Sequence, residues 1–409
     1  MLHLDLFESQ TKFATVLRSV FSQCREHWRE SVSWKRPGLW CEPAANRRCK
    51  KEKNPRDILQ TTSRRRRHDA YTMKNDDSST ATLYEVASAA GVSPATVSRF
   101  LNGTAKVSDD KRRTIERVIE ELNYKPNRLA QSLKMGSTRT IGVLTQSLES
   151  GYFSQAMIGI EDAVKASGYA LLIMSGHWHA DEEAERVELL IGRRVDGVAI
   201  LTGKLSDEQI VGYSQRVPIV AFGRQLEGER LMSLRLDNYQ GACDAVEHLV
   251  EQGHRRIAFI TGPDDHEDAR ARLAGYLDTL ARHKIVADPA LVVPGDFQES
   301  SGLLAVNQLL AEKQSFTAIF ASNDLSAYGA RLALYRRSIR VPDDISIVGF
   351  DDLHSSMYTT PPLTTVRQPL YEVGKGIGRM MLGMLGQKQV DVEAPQLGLM
   401  VRESVRRIA

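Results

Sequence analysis

Three short blocks of apolar residues with helical spacing follow one another in the first third of the chain. Thr82 and Glu85 form a capping box at the start of the first block. Ser93 is placed to cap the second block, with Pro94 at its first helical position, and Ser108 is placed to cap the third. An apolar face with i, i+3, i+4, i+7 spacing follows in the third block, formed by Ile115, Val118, Ile119 and Leu122. This pattern predicts three short helices.

Turn residues separate the blocks. Gly91 lies between the first two, and glycine adopts the left-handed backbone of a tight turn without steric cost. Two helices joined in this way and braced by a third make a helix-turn-helix, so we predict an all-α headpiece over residues 80–126. Three short helices also occur in proteins that do not bind DNA, so the pattern alone leaves the function open.

After residue 140 the pattern of apolar and polar positions changes, and short runs typical of buried strands alternate with amphipathic stretches. The predicted strands are Thr140–Thr145, Tyr169–Met174, Asp196–Leu201, Pro218–Gly223, Arg256–Thr261, Ala318–Ser322, Ser346–Asp351 and Thr364–Arg367. Strands and helices that alternate at this spacing favour an α/β body with two lobes and parallel sheets over residues 140–409. In such lobes, ligands bind beyond the carboxyl ends of the strands.

Composition places the chain among soluble globular proteins. Apolar residues make up 42% and charged residues 26% of it, and no run of about 18 apolar residues exists, so no membrane span is predicted. Asp5, Glu8 and Lys12 interrupt the layout of a secretory signal. No metal-ligand or disulfide spacing connects Cys24, Cys41, Cys49 and Cys243. A reducing cytoplasm fits these features.

The net charge of +3 is unevenly distributed. Residues 1–72 carry 16 Lys/Arg against 8 Asp/Glu, residues 73–140 carry 11 against 8, and the remainder carries 27 against 35. The N-terminal part of the chain is basic and the remainder is acidic, which predicts that contact with nucleic acid is confined to the N-terminal part.

The first 72 residues differ in composition from the rest. They contain three of the four Trp, three of the four Cys and the run Arg64–Arg67. One interpretation is a basic arm on DNA phosphates. We favour the other, in which residues 1–72 are a disordered or non-native N-terminal extension and Met73 is the initiator.

The stretches LYEVASAAGVSPATVSRFLNG and VSDDKRRTIERVIEELNYKPNRLAQSLK resemble the DNA-binding headpiece and hinge of the LacI/GalR family of bacterial regulators. The body resembles that family's effector domain, which is built like a periplasmic binding protein. The resemblance implies a hinge helix and linker over residues 127–139, and ligand binding and dimerisation by residues 140–409. It also implies pseudo-palindromic operator DNA as partner, bound by a homodimer or a tetramer.

Within the headpiece, the resemblance implies that Ser93 to Asn102 form the recognition helix in the major groove. Arg99 matches a position that reaches base edges, and its fork suits guanine. Pro94 and Ala95 match base-reading positions but offer only apolar contact. Phosphate contacts are implied for Thr82, Thr96, Ser98, Asn102 and Tyr124. The hinge adds Asn127, Arg128, Lys134 and Leu133, the last of which matches a leucine that wedges into the minor groove.

Candidate ligand residues follow the predicted strands and match effector positions of the family. The aromatic candidates are Tyr152, Phe153 and Phe297, and the polar ones are Arg224, Arg272, Asn323, Asp351 and Gln368. Aromatic planes suit the C–H faces of a pyranose, and forked donors beside a carboxylate suit hydroxyl groups. Alternatively, the phenylalanines belong to the core, Asn323 and Asp351 cap helices, and Arg224 forms a surface ion pair. Gly223 and Ser150-Gly151 depart from the family's common residues.

Other constellations carry no chemistry in this interpretation. His177 and His179 have a spacing that would allow both to face a metal, but we interpret them as histidines of a surface loop. The acidic run Asp264–Asp268 suits the start of a helix. Gly374, Gly376 and Gly378 lack the strand and spacing of a dinucleotide fingerprint. No hydrolase, phosphate-binding or nucleophile motif is present, so we predict neither an enzyme nor a cofactor or metal.

The patterns and the resemblance together predict a sequence-specific transcription regulator, most simply a repressor, whose operator affinity is set by a small molecule. A sugar of the galactose or β-glucoside type is favoured. The alternatives are a regulator that responds to a non-sugar metabolite such as a purine, and a sugar-binding transport protein. A transport protein leaves residues 82–134 unexplained.

Overall fold

A computed structural model describes residues 81–101, 107–125, 136–386 and 392–408. These residues belong to two compact units, a helical headpiece within residues 81–125 and an α/β body within residues 136–408. Among the helices described, none combines the length and apolar composition needed to cross a bilayer.

The headpiece contains the three predicted helices, α1 (Leu83–Ala89), α2 (Pro94–Leu101) and α3 (Asp109–Glu121). The capping box forms: the backbone N–H of Glu85 donates to Thr82 Oγ1 at 3.3 Å, and that of Thr82 donates to Glu85 Oε2 at 2.6 Å. Gly91 has the expected positive φ of 64°. Ser93 caps α2, whereas Ser108 precedes α3 without a capping hydrogen bond from its side chain. The buried core of the headpiece consists of Val86, Ala87, Val97, Ile115, Val118 and Tyr124.

The first lobe of the body has a five-stranded, wholly parallel sheet in the order β2-β1-β3-β4-β5. Its elements are β1 (Thr140–Thr145), α4 (Gly151–Lys165), β2 (Ala170–Ser175), α5 (Ala180–Gly192), β3 (Gly197–Leu201), α6 (Asp207–Ser214), β4 (Ile219–Phe222) and β5 (Leu231–Leu234). Two apolar clusters cover the two faces of this sheet.

The second lobe is built on the same plan. Its elements are α7 (Asn238–Glu251), β6 (Ile257–Ile260), α8 (Glu267–Arg282), β7 (Val292–Val293), α9 (Glu299–Ala311), β8 (Ala318–Ala321), α10 (Asp324–Tyr335), β9 (Ser346–Asp351) and β10 (Thr364–Arg367). Two further apolar clusters cover its sheet.

The chain returns to the first lobe with α11 (Leu370–Met384) and re-enters the second with β11 (Gly398–Met400). The strand β11 pairs antiparallel with β10 and forms the edge of the order β11-β10-β9-β8-β6-β7. The chain thus passes between the lobes three times, and the carboxyl ends of both parallel sheets face a shared cleft.

The eight predicted strands are all present, and their observed ends differ from the prediction by at most one residue. Three strands were not predicted: β5, β7 and β11. Each is short, and β7 has only two residues, so none forms the continuous buried run that the prediction required.

Glycines bring α4 and α11 into close contact. A Cβ built on Gly374 would lie 2.0 Å from the Ala156 carbonyl oxygen, and one on Gly159 would lie 2.1 Å from that of Tyr371. Because the obstructing atoms belong to the backbone, a larger residue forces the helices apart. These glycines therefore serve packing in the first lobe.

We expect Gly374→Ala to lower the free energy of unfolding by at least about 1 kcal/mol, because overpacking shifts the backbone. Gly212→Ala is the matched control, since Gly212 lies in α6 with no atom within 4 Å of the added Cβ. That control should leave stability unchanged or raise it by up to about 1 kcal/mol through helix propensity. Urea denaturation measures both, and equal effects would contradict the packing role.

Candidate effector cleft and recognition helix

The predicted recognition helix, α2, turns one face to its own core and another to solvent. Val97 is buried, whereas Ala95 and Arg99 are exposed one turn apart. The Arg99 Nε donates to the Ala95 carbonyl oxygen at 3.2 Å, so the guanidinium lies along the exposed face. A major groove admits an α-helix, so a helix with such an exposed face can present its side chains to base edges.

The other predicted DNA-contacting residues are distributed around this helix. Thr82 is exposed at the start of α1, and Thr96 bonds the Ser93 hydroxyl at 2.8 Å. Tyr124 is packed in the headpiece core, so only a small part of its side chain is exposed for contact with a phosphate. The predicted contacts Asn102, Asn127, Arg128, Leu133 and Lys134 lie outside the described residues.

A cleft of about 320 Å³ opens between the two lobes of the body. This volume lies at the lower end of the range for pockets that bury a whole small molecule. The residues that line it are Ser147, Glu149, Ser150, Gly151, Tyr152, Phe153, Trp178, Thr202, His266, Asp268, Arg272, Phe297, Gln298, Glu299, Asn323, Leu325, Asp351 and Leu353. Both lobes contribute, as the sheet topology predicts.

Arg272 is the central polar side chain of the cleft. It projects from α8, is 3% exposed, and donates to Asn238 Oδ1 from Nε at 2.9 Å and from Nη2 at 2.8 Å. Its Nη1 donates to the Ser322 carbonyl oxygen, and its guanidinium carbon lies 3.8 Å from the centre of the Phe350 ring. These contacts fix the guanidinium in one orientation, which pre-organises it for a ligand.

Two buried carboxyls accompany Arg272. Burial raises the pKa of Asp268 to about 6 and that of Asp351 to about 8, and the Arg272 charge opposes the increase in both. Asp268 accepts from Asn238 Nδ2 at 2.9 Å, so Asn238 connects it to Arg272. A cluster of this kind can donate to and accept from hydroxyl groups of a neutral ligand.

The backbone that carries Asp351 is strained. Asp351 and the following Asp352 have φ values of 117° and 57°, in the region that disfavours residues other than glycine. Asp352 is held there by Arg402 Nη2 at 2.5 Å and Arg367 Nε at 2.7 Å. Such strain persists where the surroundings enforce it and is common at ligand sites.

A hydrogen-bonded chain joins the lobes at the back of the cleft. The Tyr152 hydroxyl donates to Gln368 Oε1 at 3.2 Å, and Gln368 Nε2 donates to Asp351 Oδ1 at 2.7 Å. Tyr152 belongs to α4 of the first lobe, whereas Asp351 ends β9 of the second. A ligand that engages Asp351 therefore acts on a contact between lobes.

A row of aromatic rings also lines the cleft. Successive ring centres are 6.3 Å apart for Phe153 and Trp178, 5.6 Å for Trp178 and His266, and 5.3 Å for His266 and Phe297. The rings are tilted or perpendicular to one another. The row presents apolar surface and ring edges to the cleft.

Buried carboxylates beneath the surface hold the loops of the cleft. Glu183 accepts from the backbone N–H of Lys204 at 2.8 Å and that of Leu205 at 3.0 Å, which fixes the loop after β3. Asp324 accepts from the backbone N–H of Leu353 at 2.8 Å and fixes the loop after β9. Both loops are therefore held in place at the cleft by hydrogen bonds to buried carboxylates.

Most of the predicted ligand residues meet in this cleft. Six of them line it: Tyr152, Phe153, Arg272, Phe297, Asn323 and Asp351. Asn323 also caps α10 through Ser326, so its capping role and its position in the cleft coexist. Gln368 lies behind the lining and bonds two of its members. Arg224 does not line the cleft: it pairs with Asp207 at 2.6 Å and donates to the Gly203 carbonyl oxygen, as the ion-pair alternative proposed.

Sequence reasoning missed Trp178, Thr202, His266 and Asp268 as lining residues. In the sequence, Trp178 lies between two histidines and Asp268 lies in an acidic run at the start of a helix, so neither stands out as a ligand residue. All four follow strands of the parallel sheets, so the strand-end rule applied to every strand could have found them. The described residues contain no group of three or more His, Cys, Asp or Glu side chains that could hold a metal ion.

Comparison with known proteins matches both units. Residues 82–127 match the bacterial regulatory proteins of the lacI family, and residues 246–405 match the periplasmic binding protein-like domain. The repressor PurR of Proteus mirabilis (strain HI4320) is 34% identical over 316 residues, which cover 76% of this chain and 93% of the relative. The regulator AscG of Escherichia coli (strain K12) is 38% identical over 312 residues, which cover 75% and 92%.

Solved structures agree. The lac repressor dimer bound to operator and the anti-inducer ONPF superposes with a TM-score of 0.72 at 32% identity, covering 80% of this chain and 99% of that one. The complex of the regulator CelR with cellobiose superposes with a TM-score of 0.59 at 33% identity, covering 79% and 99%. The chain belongs to the LacI family and is a DNA-binding transcriptional repressor controlled by a small-molecule effector.

Proposed function

We propose that the effector of this repressor is a sugar bound in the cleft between the lobes. The observation that carries the proposal is that one cleft combines a polar cluster, formed by Asp268, Arg272, Asn323 and Asp351, with a row of aromatic rings. Each sugar hydroxyl both donates and accepts, and the polar cluster offers both functions. The C–H faces of a pyranose suit the rings.

A purine is the alternative effector. The interplanar angles are 54° between Phe153 and Trp178 and 88° between His266 and Phe297, so neither pair forms a parallel slot that would enclose a flat base. The buried guanidinium and carboxyl groups, by contrast, match the hydroxyl groups of a sugar. Sugars of the galactose or β-glucoside type are therefore the first to test, in agreement with the cellobiose complex of CelR.

The proposal includes a homodimer that binds a pseudo-palindromic operator in the cytoplasm. Exposed apolar side chains lie on α9, α10 and the 3₁₀ turn His354–Tyr358, where Leu304, Tyr335 and Tyr358 are 65%, 79% and 72% exposed. Such side chains suit an interface between copies. Through Asp351 and Gln368, the ligand would change the relation of the lobes and shift the population between operator-binding states.

We expect Asp351→Ala to abolish the response to the sugar while the chain still binds its operator, because Asp351 lines the cleft in the body and does not belong to the headpiece. Fluorescence anisotropy of a labelled operator, with and without sugar, measures both quantities. Asp343→Ala is the control, since Asp343 is an exposed acid of the same lobe paired only at the surface with Arg340. A retained response in Asp351→Ala would remove Asp351 from the site.

A further inference from the structure

The last three residues of the predicted linker, 137–139, are fastened to the first lobe by one carboxylate. Asp196 lies directly before β3, and its Oδ1 accepts from the Thr138 backbone N–H at 2.8 Å. Its Oδ2 accepts from the Arg139 backbone N–H at 3.0 Å and from the Ser137 hydroxyl. Hydrogen bonds to an ionised carboxylate are stronger than those between neutral groups. Asp196 therefore holds three successive residues at once.

Further contacts hold the same segment from its sides. The Thr138 hydroxyl donates to the Arg194 carbonyl oxygen at 2.8 Å. The Arg139 Nη1 donates to the Ser167 carbonyl oxygen at 3.1 Å, and its guanidinium carbon lies 5.2 Å from the centre of the Tyr169 ring. The chain is thus tied to the loops that precede β2 and β3 before it enters β1.

The backbone of the anchored segment is strained. Arg139 has a φ of 51°, and Arg194, which lies against the segment, has a φ of 57°. Residues other than glycine rarely adopt this conformation, and it persists only where the surroundings enforce it. The contacts of Asp196 and of the Arg139 side chain supply that constraint. The path of the segment therefore depends on the anchor.

The anchor lies at the end of the first lobe that is remote from the cleft. Residues 137–139 precede β1 and Asp196 precedes β3, and these two strands pair in parallel, so the anchor lies at their amino ends. The cleft lies at the carboxyl ends, and Asp196 does not line it. Asp196 therefore has a role separate from ligand binding, at the point where the body continues into the chain segment that leads to the headpiece.

Release of the anchor would lengthen the path between body and headpiece. Three residues span about 10 Å when they are extended. Two base pairs inserted at the centre of an operator move its half-sites apart by about 7 Å and rotate them by about 70°. A gain of about 10 Å in each linker exceeds this displacement. The anchor is thus large enough in reach to decide whether such an operator is bound by both headpieces.

We propose that Asp196 is a positioning residue that fixes where the linker leaves the body and thereby sets the half-site spacing that the repressor accepts. The inference rests on the proposed homodimer at a pseudo-palindromic operator. It goes further, because it assigns part of the selection of DNA sites to a residue outside both the headpiece and the cleft. Asp196 acts through the linker, since the second headpiece binds as an intramolecular event only if its linker reaches the second half-site.

The test is anisotropy titration of the full chain with its operator, located by footprinting upstream of its own gene, and with the same operator carrying two base pairs inserted at its centre. In the wild type, we expect the insertion to weaken binding by at least about 100-fold, because the two headpieces no longer engage together. In Asp196→Ala, we expect the same insertion to weaken binding by no more than about tenfold. A general loss of stability would weaken binding to both duplexes alike, so the ratio of the two affinities reports positioning.

Three further variants separate the anchor from a general effect on the fold. Asp196→Asn keeps one acceptor oxygen and should give a ratio between those of the wild type and Asp196→Ala. Ser137→Ala combined with Thr138→Val removes two hydroxyl donors on the linker side, leaves β3 unchanged and should loosen the spacing in part. This double variant decides the matter if Asp196→Ala does not fold. Asp181→Ala is the matched control, since Asp181 is an exposed acid at the start of α5, at the carboxyl end of the same sheet, and should keep the wild-type ratio.

A wild-type ratio in Asp196→Ala, or in the double variant if Asp196→Ala does not fold, would overturn the inference and leave the proposed dimer standing. A wild type whose operator binding is indifferent to the insertion would overturn the proposed dimer at a pseudo-palindromic operator, and the inference with it.

Discussion

Replacement of Arg272 by methionine is expected to lower the free energy of unfolding by about 3–5 kcal/mol and to abolish the effector response. The guanidinium is 3% exposed, and its charge opposes the pKa increase of Asp268 and of Asp351. Methionine retains the apolar contact with Phe350 but leaves Asn238 Oδ1 and the Ser322 carbonyl oxygen without these donors. The expected loss of stability therefore comes from charge and hydrogen bonding more than from packing.

The loss should depend on pH in a defined direction. The folded-state pKa values of Asp268 and Asp351, about 6 and about 8, lie above the ordinary value of an aspartate. Over this range the folded chain binds protons that the unfolded chain has released, so these two groups make stability fall as pH rises from about 4 to about 8. Removal of the Arg272 charge raises both pKa values further and steepens that fall.

Urea denaturation at about pH 5.5 and about pH 7.5 checks this, and the variant should lose more stability at the higher pH. Arg270→Met is the matched control, because Arg270 is exposed on the same helix and donates to the Asp264 carbonyl oxygen at 3.2 Å, outside the buried cluster. A variant Arg272→Met with the stability and the sugar response of the wild type would refute the central role of this residue.

For the headpiece, Arg99→Ala is expected to weaken operator binding by about 10- to 100-fold, which is the contribution of one good contact with a guanine edge. Arg99 lies on the exposed face of α2, one turn from Ala95, and Pro94 and Ala95 have no side-chain donor. Direct readout by this helix therefore depends heavily on Arg99. Anisotropy titrations with the operator and with a scrambled duplex of equal length measure the loss.

The scrambled duplex distinguishes two roles. A base contact is lost on the operator alone, so the preference for the operator should shrink while affinity for the scrambled duplex stays. A phosphate contact is lost on both duplexes equally. An equal loss on both would reassign Arg99 from base readout to positioning on the backbone.

The sequence predicted elements whose cause is local or periodic. The capping box at Thr82 and Glu85 forms because both partners lie within one turn, and Gly91 adopts its positive φ where the turn requires it. The strands of the parallel sheets are buried on both faces, so they appear as continuous apolar runs such as Thr140–Thr145. The fold class and the position of the cleft at the strand ends followed from those runs.

Other features depend on tertiary contacts that no local pattern contains. His266 and Trp178 come from different lobes, and their contact exists only after both sheets have formed. Arg224 follows β4, where ligand residues are expected, but its side chain forms an ion pair with Asp207. The glycines at 159 and 374 are small because another helix lies against each of them, which a single sequence does not reveal.

The central claim is tested most directly by anisotropy binding of the full chain to DNA from upstream of its own gene, with and without galactose, glucose, cellobiose and lactose. The account predicts salt-sensitive, sequence-selective binding whose affinity changes when one of these sugars is added. Selective binding that no sugar alters would contradict the proposed effector class. Binding without preference for any sequence would contradict the account as a whole.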